Sequence, residues 1–276
     1  MKNLITVTLF SLLLACQPTK DQPKNEKITP PSTQVVLKTS LGDMIIELSD
    51  KTPLHRDNFI KLVEEAQYDS LLFHRVIDGF VIQGGDPDSK YATANDTLGN
   101  GGLDYTIPAE FDSTLFHKKG ALGAARDGNP ERASSAMQFY IVQAGVMSDS
   151  VINQAEITIN ERLASHYSYK SPKSQSWVDS LNKSIDTENV KLYRTAKDAL
   201  KEIASTFTNF EKYTIPKEHR SAYREIGGTP RLDQNYTVFG QVISGLDIID
   251  TIAAVNTNNL DRPIKDVKIL KAHIVR

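Results

Sequence analysis

Residues 73–86 constrain this chain more than any other stretch: Phe-His-Arg-Val-Ile-Asp-Gly-Phe-Val-Ile-Gln-Gly-Gly-Asp. They place a guanidinium (Arg75), an aromatic ring (Phe80), an aliphatic side chain (Val81) and an amide (Gln83) on one short segment. Residues 72–77 and 80–83 are rich in β-branched and aromatic side chains and read as strands. Gly84-Gly85 closes the second of them in a turn.

Further short strands surround this segment. Residues 35–39 and 44–48 are apolar, partly β-branched runs joined by Leu41-Gly42-Asp43, which predicts a hairpin. Thr52-Pro53 reads as an N-cap followed by proline at the first helical position. Phe59, Leu62, Val63 and Ala66 recur at helical spacing, so 53–67 is an amphipathic helix. Residues 120–125, 138–142, 236–242 and 267–274 read as strands, and 246–253 as a second helix. The stretch 86–102 is a polar, glycine-rich loop. Short strands with two helices suit a closed β-barrel capped at its ends.

Residues 143–226 do not fit that pattern. Val190, Tyr193, Ala196, Leu200 and Ile203 repeat at spacings of three and four, which predicts a helix over 188–207. Weaker helical patterns cover 150–163 and 174–185, and 216–226 starts with proline. The expectation is an α-helical insertion at about 147–226, serving either as packing or as an arm that guides substrate or binds a partner.

The N-terminus has its own logic. Lys2 and the apolar run 4–14 read as a signal peptide over residues 1–15, the run being too short to span a membrane. Leu13-Leu14-Ala15-Cys16 resembles the bacterial lipobox, which implies cleavage before Cys16 and lipid on it. Cys16 is the chain's one cysteine, so no internal disulfide can form. Residues 16–33, rich in Lys, Pro, Gln and Asn, are expected to form a disordered tether after the lipidated cysteine. The expected location is the cell envelope, with the membrane reached through the lipid anchor on the outer membrane or the periplasmic face. A net charge of −2 and the lack of a basic, aromatic-interleaved stripe exclude nucleic acid as an expected partner. Neither G-x-S-x-G nor H-E-x-x-H occurs, and no P-loop Lys-Ser/Thr follows Gly99 to Gly102, so neither a hydrolase nor a metal or nucleotide site is supported.

Three blocks together, residues 73–86, 125–140 and 231–240, resemble the cyclophilin-type peptidyl-prolyl isomerases, in that family's order. The resemblance covers 35–142 and 227–274. It implies a mainly β fold, a closed eight-stranded cyclophilin-like barrel capped by two helices, over 34–276 with the insertion interrupting it. It also implies a prolyl isomerase that needs no metal or cofactor and acts on proline-containing unfolded or exported polypeptides. A peptide-binding chaperone or scaffold on the same fold, with little isomerase activity, is the alternative.

Residue by residue, Arg75 matches the family's main catalytic residue and Gln83 the glutamine that positions it. Phe80, Val81, Tyr140 and Leu232 match the proline pocket, with Tyr236 beside them. Ala125 and Arg126 match the segment that pairs with the substrate backbone, and Gln138 the second glutamine. Val81 replaces a frequent methionine. Tyr140 replaces a frequent phenylalanine, so its hydroxyl needs a partner. Arg231 replaces a frequent tryptophan, which implies weak cyclosporin binding. The chemistry fits these residue types. Twisting the prolyl amide loses resonance, a barrier of about 18–20 kcal/mol, and makes its nitrogen basic. A fixed cationic donor stabilises that state. No proton is transferred, so His74 is expected to be structural and not a base.

Overall fold

The computed structural model describes residues 32–275. The signal-peptide and Cys16 lipidation readings, and all but the end of the tether, fall outside them. Among these residues no helix is long and apolar enough to cross a membrane.

Strands β1 (Gln34–Thr39) and β2 (Gly42–Leu48) form the expected hairpin. Their alternating residues Val35, Leu37, Met44, Ile46 and Leu48 are buried, the period-two signature of a sheet with one face on a core. Helix α1 (Pro53–Glu64) follows, then β3 (Arg75–Ile77), β4 (Val81–Gly84), β5 (Thr106–Ile107), β6 (Ala121–Ala124), β7 (Ser134–Ser135) and β8 (Phe139–Val142). After four helices come β9 (Val238–Ser244), α6 (Leu246–Ala253) and β10 (Ile269–Val275).

Eight strands make one antiparallel sheet in the order β10-β1-β2-β9-β6-β8-β4-β3; β5 and β7 pair separately. The sheet is open, which corrects the expectation of a closed barrel. Its edges are β3 and β10. Strand β3 has three residues and pairs only with β4. Across the gap, residues 70–73 meet 267–269 through three backbone hydrogen bonds and a single bridge, Leu72 to Lys268, not a ladder. The main core joins the sheet to both helices: Phe59, Leu62 and Val63 of α1 and Ile249, Ile252 and Ala253 of α6 lie in one buried cluster with the strands. Phe59 packs edge-on against Phe139 and Phe239.

Thr52 does precede α1, but its side chain caps nothing. Glu110 does the capping from far along the chain, accepting from the backbone N–H groups of Leu54 (3.1 Å) and His55 (3.0 Å) and from His55 Nδ1 (2.7 Å). A carboxylate there satisfies two free donors and opposes the positive helix end.

Residues 143–226 form α2 (Asp149–Tyr169), α3 (Gln175–Asp186), α4 (Val190–Ser205) and α5 (Lys217–Glu225). Ser148 caps α2 by accepting from the Val151 N–H. Ile152, Ile159 and Leu163 of α2 form a second small core with Ile215 and with Tyr223 of α5.

Candidate active site

The antiparallel register of β3 and β4 sets Arg75 opposite Gln83, so both side chains leave the same face. Gln138 just precedes β8, β4's other neighbour. Its amide nitrogen donates to the carbonyls of Gly99 (3.0 Å) and Gly101 (2.6 Å). That orientation turns its oxygen toward Gln83, whose amide nitrogen donates to it at 3.0 Å. Gln83 is then left presenting its oxygen to Arg75 Nη1 at 3.4 Å. The relay assigns both amides without ambiguity, because each donor meets an acceptor. The glycine-rich loop is thus the base on which the arginine is oriented. Asp261, 3.6 Å from Arg75 Nε, holds the other side. The guanidinium keeps unused donors and its side chain is 40% exposed.

Val81, Tyr140 and Leu232 are buried in a cluster of their own, with Phe80, Ala125 and Tyr236 packed against it. This gathers the sequence-predicted pocket residues on one apolar wall. Gly123 lies opposite Tyr140 in the β6–β8 register, and any Cβ there would overlap the ring. Arg231 is exposed and lays its guanidinium on the Phe80 ring, 4.4 Å from the centroid.

The Tyr140 hydroxyl has a partner that sequence reasoning missed. It lies 2.8 Å from His117 Nε2. His117 Nδ1 lies 2.7 Å from Asp233 Oδ1, and Tyr223 of α5 donates to Asp233 Oδ2 at 2.6 Å. A carboxylate can only accept, which puts the His117 proton on Nδ1 and leaves Nε2 to accept from Tyr140. All four side chains are buried. Burial and neighbouring acidic groups hold both tyrosine hydroxyls well above their usual range, so they remain donors. The network ties the apolar cluster around Tyr140 to α5.

Ala125 and Arg126, which follow β6, differ in their backbone bonding. The Ala125 N–H donates to Gln138 and its carbonyl accepts from Ser135. Arg126 makes no backbone–backbone hydrogen bond among the described residues, which leaves its peptide groups without a backbone partner. His74 is buried, and burial lowers its pKa to about 4. A neutral ring beside Arg75 avoids like-charge repulsion. It lines, with Arg75, Gln83 and Arg262, a cavity of about 310 Å³. Among the described residues no cluster of His, Cys, Asp or Glu is arranged to hold a metal.

These features define a class: an open, curled antiparallel sheet that sets an oriented guanidinium, Arg75, in register with Gln83 and with Tyr140 of an apolar cluster. The model of the family described as "Cyclophilin type peptidyl-prolyl cis-trans isomerase/CLD" matches residues 34–160 and 184–274. The chain belongs to the cyclophilin-type peptidyl-prolyl cis-trans isomerases. The match runs into α2 and resumes within α3, so between residues 34 and 274 only 161–183 lies outside it, less than the sequence reading set aside. A Staphylococcus saprophyticus protein assigned as a peptidyl-prolyl cis-trans isomerase is 28% identical over 91% of this chain and 96% of its own. A Streptococcus pyogenes protein assigned as a bifunctional phosphatase and peptidyl-prolyl cis-trans isomerase is 30% identical over 86% of this chain and 37% of its own. Among solved structures, a Cryptosporidium parvum cyclophilin-type isomerase matches in fold with a TM-score of 0.52 at 18% identity, covering 89% of this chain and 98% of its own. A second structure of that protein was obtained in the presence of the dipeptide Ala-Pro.

Proposed function

We propose that Arg75 catalyses prolyl isomerisation by donating to the prolyl nitrogen as the amide twists, while Phe80, Val81, Tyr140 and Leu232 hold the ring. The observation that carries this is the relay from the Gly99 and Gly101 carbonyls through Gln138 and Gln83 to a guanidinium with donors to spare. A donor oriented before the substrate arrives has little reorganisation left to undergo in the transition state. The free peptide groups of Arg126 are suited to pairing with an extended substrate, as a strand adds to a sheet edge. The test is cis-to-trans isomerisation of an Ala-Pro-Phe peptide. Arg75→Ala is expected to lower kcat/KM at least tenfold, about 1.4 kcal/mol of lost stabilisation. Full activity in a folded variant would remove Arg75 from the mechanism.

The same reading extends to setting. Residues 1–15 direct export, Cys16 carries lipid, and the enzyme assists folding of exported proteins at the cell envelope. The lipobox-like Leu13-Leu14-Ala15-Cys16 supports this, and labelling with radioactive palmitate, abolished by Cys16→Ser, tests it. Arg231 over Phe80, where an indole is frequent in the family, supports weak cyclosporin binding.

A further inference from the structure

Beside the proline wall stand four arginines whose partners are all neutral. Arg231 stacks on Phe80, and its carbonyl accepts a hydrogen bond from Arg162 of α2. Arg126 lies over the Tyr236 ring, 5.5 Å from its centroid, and donates to Asn235 Oδ1 (3.3 Å) and to the Asn129 carbonyl (2.6 Å). Arg132 lies over Phe111 at 4.6 Å and donates to the Gln234 carbonyl at 2.6 Å. None of the four forms an ion pair among the described residues.

The nearby carboxylates are already engaged. Asp127 accepts from Asn129, Glu131 pairs with Lys170 at 2.8 Å, and Asp233 is buried between His117 and Tyr223. The Nε atoms of Arg126 and Arg132 are buried without a partner. Burial lowers the pKa of both; Tyr236 and Asp127 oppose this at Arg126 and Tyr167 and Glu131 at Arg132, while the neighbouring guanidiniums of Arg162 and Arg126 respectively lower it further. Clustered cations held by aromatic faces and carbonyls make a locally positive field, which Asp127 and Glu131 offset only in part. Such a cluster is relieved by an anion brought from outside. Two of the four depart from the family: Arg231 takes the tryptophan position, and Arg162 lies in the segment the family model does not match.

We propose that this arginine arc is a specificity determinant that favours proline segments carrying a carboxylate side chain, Asp or Glu, on a residue flanking the proline. The inference rests on the isomerase reading and adds a substrate class to it. Arg126 and Arg231 act at the groove, and Arg162 acts through the field and through the carbonyl of Arg231.

The experiment uses the full chain and short peptides with Glu, Gln or Lys placed before or after the proline, alongside neutral Ala-Pro-Phe. At about 20 mM salt the Glu peptide at one flank is expected to exceed its Lys counterpart about tenfold in kcat/KM, mostly through KM. The ratio should shrink at about 300 mM salt, where screening shortens to a few ångströms. In Arg162→Glu with Arg231→Glu the ratio is expected to fall below one. Because the ratio is taken within each variant, a general loss of activity cancels; Arg162→Gln with Arg231→Gln, expected to bring the ratio near one, is the milder second pair. A Glu-to-Lys ratio within twofold at both flanks of the wild-type protein overturns the inference, as does a ratio unchanged in both variant pairs. Absence of turnover on the neutral peptide would overturn the isomerase reading instead. Calorimetric binding of the same Glu and Lys peptides then decides the charge preference by itself.

Discussion

Asp233 holds three donors at once: the His117 backbone N–H (3.0 Å), His117 Nδ1 (2.7 Å) and the Tyr223 hydroxyl (2.6 Å). It is 4% exposed, His117 1% and Tyr223 0%. Asp233→Leu would strand all three away from water. At about 1–2 kcal/mol for each buried donor left unmade, the loss is about 3–6 kcal/mol. That is a large part of the stability of an ordinary domain, about 5–15 kcal/mol. At about 2–4 °C per kcal/mol for a chain of this size, Tm falls by about 6–24 °C. Asp233→Asn keeps an acceptor for His117, and its amide can donate to the Tyr223 oxygen. Each charge-assisted bond becomes a neutral one, and the lower cost of burying an amide offsets part of the loss. The net is about 1–2 kcal/mol. Urea unfolding and thermal scans of the three proteins check the ordering. A Leu variant as stable as wild type, or more stable than the Asn variant, would refute the reading of this network as a satisfied buried cluster.

Three shorter predictions follow the same logic. Tyr140→Phe removes one donor but leaves the ring, so stability is expected to drop by about 1–2 kcal/mol from the unpaired His117 nitrogen; an unchanged urea midpoint would count against that hydrogen bond. Gln138→Ala takes away the acceptor that orients Gln83. It is expected to lower kcat/KM about tenfold, about 1.4 kcal/mol, and activity within twofold of wild type would deny the relay its role. His74 titrates near 4 when folded and near 6.5 in the unfolded chain. Between those values the unfolded chain binds the extra proton, so stability is lost as pH falls from about 6.5 to about 4, by up to about 3 kcal/mol. His74→Phe is expected to flatten that acid limb, and stability curves of unchanged slope between pH 4 and 6.5 would exclude His74 as its source.

What could be read from the sequence was largely local. Arg75, Phe80, Val81 and Gln83 lie within one hairpin, so their order along the chain already describes their neighbourhood. Helix α6 was read with its observed ends because its apolar pattern and the glycine before it are contiguous. Long-range partners left no such trace. Tyr140 was expected to need a partner, yet His117 lies 23 residues away and Asp233 a further 116 from His117. Thr52 looked like a cap, but the helix end is satisfied by Glu110, whose place on a loop no local pattern reveals. The open sheet was missed for a related reason. Residues 72–77 read as one strand, but only Arg75–Ile77 pairs as one; Leu72 reaches Lys268 as a single bridge, and composition does not encode which partner a strand finds.

The placement of β1 between β2 and β10 has a consequence for when the enzyme is ready. On the ribosome, residues 34–39 emerge long before 269–275, and until then one whole edge of β1 has no neighbour. An unpaired edge is a template for other chains. The same late segment supplies the backbone groups at 267–269 that hold residues 70–73, the lead into Arg75. The segment leading into Arg75 is therefore held in place only once residues 267–269 have been made.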